Sequence, residues 1–272
     1  MVAYCFFYTG NLKPKLSFRE VLVLRKLHLV FLIGVIILLV QPHLYKASQN
    51  DVDNKLLNDT LLTTLDPYIE EGIVNYYGYL KQYGLYDAKV LSIKRNEEGG
   101  FSFTVKVLVN TFESAHNPPY GKETVTFNIS PMGVKRVNYY HEGDAEEKKV
   151  IQFYKESISD IEQSFHLNLD NYSEYSYEQL LYKAEKHEEY RSLSTIAEEI
   201  VTNILNPEIH PPYKNVIDPV TFIKGNGGYI LFKRADGTNT LFTVKKDNKD
   251  WVVVKRENEK GKKMKNELLW YM

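Results

Sequence analysis

Apolar and polar side chains alternate strictly from Phe101 to Val109: Phe101, Phe103, Val105, Val107 and Val109 against Ser102, Thr104 and Lys106. A period of two is the mark of a half-buried strand. Val125, Phe127 and Ile129 repeat it, and Glu98-Gly99-Gly100 and Pro131-Met132-Gly133 supply the turns between. Upstream the period is helical, through Leu57, Leu61 and Leu65 and then Ile69, Ile73 and Tyr77. Asp66-Pro67 predicts a break and restart, with Asp66 as N-cap and Pro67 at the first helical position. Gly78 to Gly84 frays the stripe. A helix followed by about four strands predicts an α+β module over 54–142, with the helix on one sheet face.

The pattern then repeats in kind. Ile151, Tyr154, Ile158, Ile161 and Phe165 mark one face of a connecting helix, and Asn168 to Tyr177 is a polar, tyrosine-rich linker. Together they occupy 145–176. Leu181, Ala184, Leu193, Ile196, Ile200 and Ile204 predict one long helix, ended by Pro207, Pro211 and Pro212. Strands follow over Val220–Lys224, Tyr229–Arg234, Thr240–Lys245 and Trp251–Lys255, with Asp236-Gly237 as a hairpin signal. The expected fold class is α+β: two modules, 54–142 and 177–272, each a helix followed by an antiparallel β-meander, after an N-terminal apolar helix.

That apolar segment changes the picture. Leu29 to Val40 has no polar atom outside the backbone, and Arg25 and Lys26 stand before it. A basic flank, an apolar run and then polar chain is the layout of an export signal. Taken from Leu27 to Leu44 the segment gives a helix of roughly 27 Å, enough to span a bilayer. A buried core helix would need an amphipathic partner pattern around the run, and none is present. Ala47 before Ser48 has Tyr45 two places earlier, a poor cleavage site, which favours an uncleaved anchor over a removed signal. Residues 1–26 are then a basic cytoplasmic tail by the positive-inside rule. The rest lies outside the membrane, or is secreted if 27–44 is cleaved.

Charge supports export. The chain carries 34 basic and 35 acidic side chains; five basic and one acidic precede Gln41, leaving a net charge near −5 beyond it. That argues against nucleic-acid binding. Cys5 is the sole cysteine and precedes the apolar run, so the exported part has neither a disulfide nor thiolate chemistry.

A series of short strings carries a resemblance: LLTTLDPYI at Leu61 to Ile69, Tyr76-Tyr77-Gly78, Asp87-Ala88-Lys89, GGFSF at Gly99 to Phe103, TFESAHNPPYG at Thr111 to Gly121, and TVTF at Thr124 to Phe127. It resembles a family of exported proteins from spore-forming bacilli catalogued as domain of unknown function 3888. The match covers about a third of the chain, and HNPPYG is its specific part. The resemblance implies export and a small domain, and it implies no chemistry.

His116-Asn117-Pro118-Pro119-Tyr120-Gly121 is the candidate site. Two prolines stiffen the backbone and glycine permits a left-handed turn, while His, Asn and Tyr offer hydrogen-bonding groups. The same string would also serve as a rigid hairpin connection, with Tyr120 packed on the sheet edge and Asn117 capping its own turn. His210-Pro211-Pro212-Tyr213 echoes it as a helix-to-strand connector. Gly225-Asn226-Gly227-Gly228 lacks the Lys-Ser/Thr of a phosphate loop and reads as a hairpin. His187-Glu188-Glu189 reads as a solvated helix face. His141, Glu142 and Asp144 read as an exit turn before they read as cation ligands.

No catalytic residues are assigned, and neither a metal site nor a cofactor is expected. The expected function is an exported, membrane-anchored, non-enzymatic protein that binds a partner, a surface protein or wall polymer, at the bacterial cell surface. The alternative is a hydrolase-like extracytoplasmic enzyme using His116 with Glu113 or Glu123. Oligomeric state is left open.

Overall fold

The computed structural model describes residues 53–209 and 214–264. The apolar segment 27–44, the basic tail 1–26 and the His210–Tyr213 string lie outside the described residues. Among the described residues no helix is long and apolar enough to cross a membrane.

The first helix, α1, spans 53–77. The strands after it are β1 (Gln82–Tyr83), β2 (Lys89–Arg95), β3 (Phe103–Glu113), β4 (Asn117–Ser130) and β5 (Gly133–Gly143). They form one antiparallel sheet in which β3, β4 and β5 are successive neighbours, and β1 and β2 pair with β3. Leu62, Leu65, Ile69 and Ile73 of α1 are buried against Val105, Val107, Val109, Val125 and Phe127 of one sheet face. The break expected at Asp66-Pro67 is absent. Pro67 withholds one amide and strains the ladder, at a cost of roughly 3 kcal/mol in a helix interior. Continuing the helix keeps two apolar side chains before the proline and two after it over the same sheet. Each contributes roughly 1.5–3 kcal/mol, so packing outweighs the local penalty. Asp66, freed from capping, accepts a hydrogen bond from the Tyr83 hydroxyl. Gly78, with φ +79°, ends α1 in the left-handed region.

The second half holds α2 (Ala145–Ser164), β6 (Ser173–Tyr175), α3 (Tyr177–Lys186), α4 (Arg191–Ile200), β7 (Ile217–Lys224), β8 (Gly227–Lys233), β9 (Thr238–Asp247) and β10 (Asp250–Lys260). The five strands lie in the order β10-β9-β8-β7-β6, all antiparallel. Within the polar 168–177 stretch, β6 adds an edge strand to β7. Both faces of this sheet are covered. Ile230, Phe232, Phe242 and Val244 pack under α3 and α4. Leu231, Leu241, Val220 and Phe222 pack against Ile161 and Leu169, at and just beyond the end of α2. Double coverage is why Tyr229 to Phe232 is a continuous apolar run instead of an alternation. The buried face of α2 carries Phe153, Ser157, Asp160 and Ile161; Ile151, expected on it, is 60% exposed.

The long helix expected over Leu181 to Ile204 is two helices. His187 is extended, with φ −136° and ψ 115°, between α3 and α4. Leu180 and Ala184 face the core from α3, and Leu193, Ala197 and Ile200 from α4. Nine residues separate Ala184 from Leu193, about 2.5 turns. A straight helix would have placed them on opposite sides, and the break re-phases them. Ser176 caps α3 and Gln179 completes the reciprocal bond. The same Gln179 Nε2 donates to the Tyr77 carbonyl at 2.7 Å, joining α3 to the end of α1.

Candidate functional site

One end of the first sheet carries polar groups on both of its faces. On the helix-covered face, Thr111, Gly121 and Gly143 form a cross-strand row. A Cβ on Gly121 would sit 2.4 Å from Glu123 Oε1 and 2.7 Å from the Tyr77 hydroxyl, and one on Gly143 would meet Glu147 Oε2. The two glycines therefore open a gap under the helices. Into it Tyr77 donates to Glu123 Oε1 at 2.8 Å and Thr111 Oγ1 donates to the same oxygen at 3.0 Å. His141 Nδ1 lies 3.0 Å from that oxygen, and its Nε2 lies 2.8 Å from Glu147 Oε2. Glu123 is fully buried. Burial, with the Glu123 charge adding to it, holds the Tyr77 phenol far above its usual range, so it stays a donor. Lys81, also buried, pairs with Glu113 at 3.0 Å. Both imidazole nitrogens and both carboxylates of this knot are occupied and enclosed. Chemically it is a strut that ties α1, the sheet and α2 together.

The other face is open. Asn110, Lys122 and Glu142 are cross-strand neighbours on it. His116-Asn117-Pro118-Pro119-Tyr120-Gly121 stands beside this row. Of the string, only His116 is in the connection; Asn117 to Gly121 already belong to β4, because the β3–β4 register recloses after a bulge between Thr111 and Glu113. His116 ends a single turn with φ +63°, a left-handed position that His tolerates better than bulkier residues do. Strand alternation then divides the string. Pro119 and Gly121 face inward and are buried, while Tyr120 faces outward and is 42% exposed. Tyr120 donates its hydroxyl to the His116 carbonyl at 2.7 Å. Its backbone amide donates to Asp144 Oδ2 at 3.1 Å, and Asp144 Oδ1 caps α2 by accepting from the Glu147 amide. His116 rests on Phe112, with ring centroids 4.1 Å apart, and its Nδ1 lies 3.0 Å from the Tyr86 hydroxyl.

These groups enclose a cavity of about 510 Å3, walled by Tyr86, Asp87, Phe112, His116, Tyr120 and Asp144 above the Asn110–Lys122–Glu142 floor. The volume is that of a small-ligand site. The packed-Tyr120 alternative is not what is found: its ring lines the cavity. Of the carboxylates expected beside His116, Glu123 is bonded to His141 and Glu113 to Lys81. His141 and Glu142, weighed together as cation ligands, point to opposite faces, as adjacent strand residues must. Among the described residues no three His, Cys, Asp or Glu side chains converge as metal ligands would. Sequence reasoning missed Tyr86, Asp87, Asn110 and Lys122. Tyr86 and Asp87 lie in the loop after β1, Asn110 on β3 and Lys122 on β4, so they become one site only once the strand register is known.

The class defined by this geometry is a helix-on-sheet α+β module with a small polar-aromatic cavity at one end of its open face. Residues 57–143, which take in most of α1 and the whole first sheet, match the family described as protein of unknown function (DUF3888). No curated protein and no solved structure matches the chain.

Proposed function

We propose that this chain is a non-enzymatic binding protein, exported and held at the cell membrane through 27–44, whose ligand or partner docks in the cavity beside His116 and Tyr120. The cavity itself carries the reading. It is lined by four rings and by side chains with spare hydrogen-bonding capacity, and it is backed by a rigid strut. The basic flank and apolar run at the N-terminus support placement outside the cytoplasm. The Glu123–His141–Glu147 chain has the residue types of an acid–base relay, but its imidazole nitrogens are spent on the two carboxylates. His116 is bonded to a phenol, not to a carboxylate base, so the enzyme alternative gains no support from the geometry.

Two measurements test the proposal. Protease added to intact protoplasts should digest everything after Gln41; protection would end the surface reading. Components crosslinked to the full chain at the cell surface should be lost when Tyr120→Ala is combined with His116→Ala. Retention of all of them would end the cavity reading.

A further inference from the structure

The cavity has a charge preference. Its floor sets Lys122 directly beside Glu142, so these two charges offset each other at neighbouring strand positions. The walls add two more carboxylates, Asp87 and Asp144, and no further cation. Asp144 spends its oxygens on the Tyr120 and Glu147 amides. Asp87 is less satisfied. Its Oδ2 accepts from Asn110 Nδ2 at 2.8 Å, while its Oδ1 is enclosed and has no hydrogen-bond partner. A carboxylate with one enclosed oxygen left without a hydrogen bond is costly unless a positive charge stands near the group. The remaining walls are the rings of Tyr86, Phe112, His116 and Tyr120. Aromatic faces attract cations and repel anions through the ring quadrupole.

Excess negative charge and ring faces select the same kind of guest. We infer that the cavity takes an organic cation, an alkylammonium or guanidinium group, seated against the rings of Tyr86 and Tyr120 and balancing the excess of Asp87, Glu142 and Asp144 over Lys122. The inference rests on the reading of the His116–Tyr120 cavity as the ligand site. A hydrated inorganic cation would gain little from the rings, whereas a weakly hydrated organic one gains from rings and carboxylates together. Such a group reaches a cell surface either as a basic peptide side chain or as an amino ester on a polymer.

The test uses the full-length protein in a non-ionic detergent, with the Asn110 side-chain amide and the Tyr120 and Gly143 backbone amides followed by NMR. The probes are N-acetyl-arginine amide, D-alanine methyl ester, the neutral N-acetyl-norleucine amide and sodium acetate. At least one cationic probe should shift these resonances with an affinity about tenfold above that of the norleucine compound, and added salt should weaken it. The tighter of the two cationic probes identifies the source as peptide or amino ester. Glu142→Gln and Asp87→Asn should each lower that affinity severalfold, on the order of 3-fold to 10-fold. Glu142 is exposed, so its variant decides the matter even if Asp87→Asn perturbs the fold. Equal binding by norleucine amide or acetate at the same resonances would overturn the cation inference and leave the cavity reading standing. No shift from any probe would overturn both.

Discussion

Asp160→Ala should destabilise the protein by about 3–5 kcal/mol at pH 7, the cost of stranding one partner of a buried ion pair. Asp160 lies on α2, and its Oδ2 sits 2.6 Å from Lys233 Nζ on β8. The same oxygen accepts from Asn239 Nδ2 at 3.0 Å and from the Lys262 amide at 2.9 Å. Lys233 is only 2% exposed, and its second acceptor is Asn239 Oδ1 at 2.6 Å. Removing the carboxylate leaves an enclosed ammonium with one neutral partner and takes the acceptor from the Lys262 amide, while Asn239 Nδ2 keeps the Asp160 carbonyl at 3.2 Å and Ser164 Oγ at 2.7 Å. In urea, where m is roughly 2–3 kcal/mol/M for a chain of this size, the midpoint should fall by about 1–2 M. Asp160→Leu combined with Lys233→Met should recover most of the loss, because the desolvated charge goes with its partner. The pH dependence provides a second check. Burial pushes the Asp160 carboxyl up, but the bonds from Lys233, Lys262 and Asn239 outweigh it and hold the group below its usual 3.8. A depressed carboxyl stabilises above its unfolded pKa and loses that contribution as pH falls through the folded value. The gap between wild type and Asp160→Ala should therefore narrow below about pH 4. A loss under about 1 kcal/mol at pH 7, or a gap that does not change on acidification, would refute the reasoning.

The gap under α1 should be intolerant of a methyl group. Gly121→Ala, which sets Cβ at 2.4 Å from Glu123 Oε1, should cost about 2–4 kcal/mol in thermal or urea unfolding by breaking the Tyr77–Thr111–Glu123 bonds. Tyr120→Ala should cost only about 1 kcal/mol, since the ring is 42% exposed, while abolishing cavity binding; a loss of 3 kcal/mol or more would mean the ring is structural. Asp218 is pushed up to about 6 by burial first and then by the Glu178 charge, against the Tyr154 hydrogen bond. The folded state therefore holds this proton more tightly than the unfolded one, so stability should fall as pH rises from about 4 through 6 and then level off. Asp218→Asn should flatten that segment of a stability–pH curve, and an unchanged slope would remove Asp218 as its source.

Local pattern and tertiary structure decided different things about this protein. Period-two alternation placed β3 and β4, short apolar runs between turn signals placed β7 to β10, and the glycines of the 98–100, 131–133, 225–228 and 236–237 turns marked where the chain reverses. Those signals are local, since backbone φ and side-chain alternation depend on a residue and its immediate neighbours. The helix boundaries were less local. Pro67 and Asp66 spelled a break that packing on the sheet overrode, and the half-turn offset between Ala184 and Leu193 was present in the spacing but gained meaning only when one core claimed both faces. The site was divided in the same way. His116 and Tyr120 stood out because a proline-stiffened string is a local feature. Tyr86, Asp87, Asn110, Lys122 and Glu142 come from a loop and three strands, and only the register makes them neighbours. Register likewise set Gly121 opposite Gly143, opening the space in which Glu123 meets His141 instead of His116. A sequence lists which side chains are available, but the pairing of distant strands decides which of them share a face, because one residue of slip would turn each to the other side.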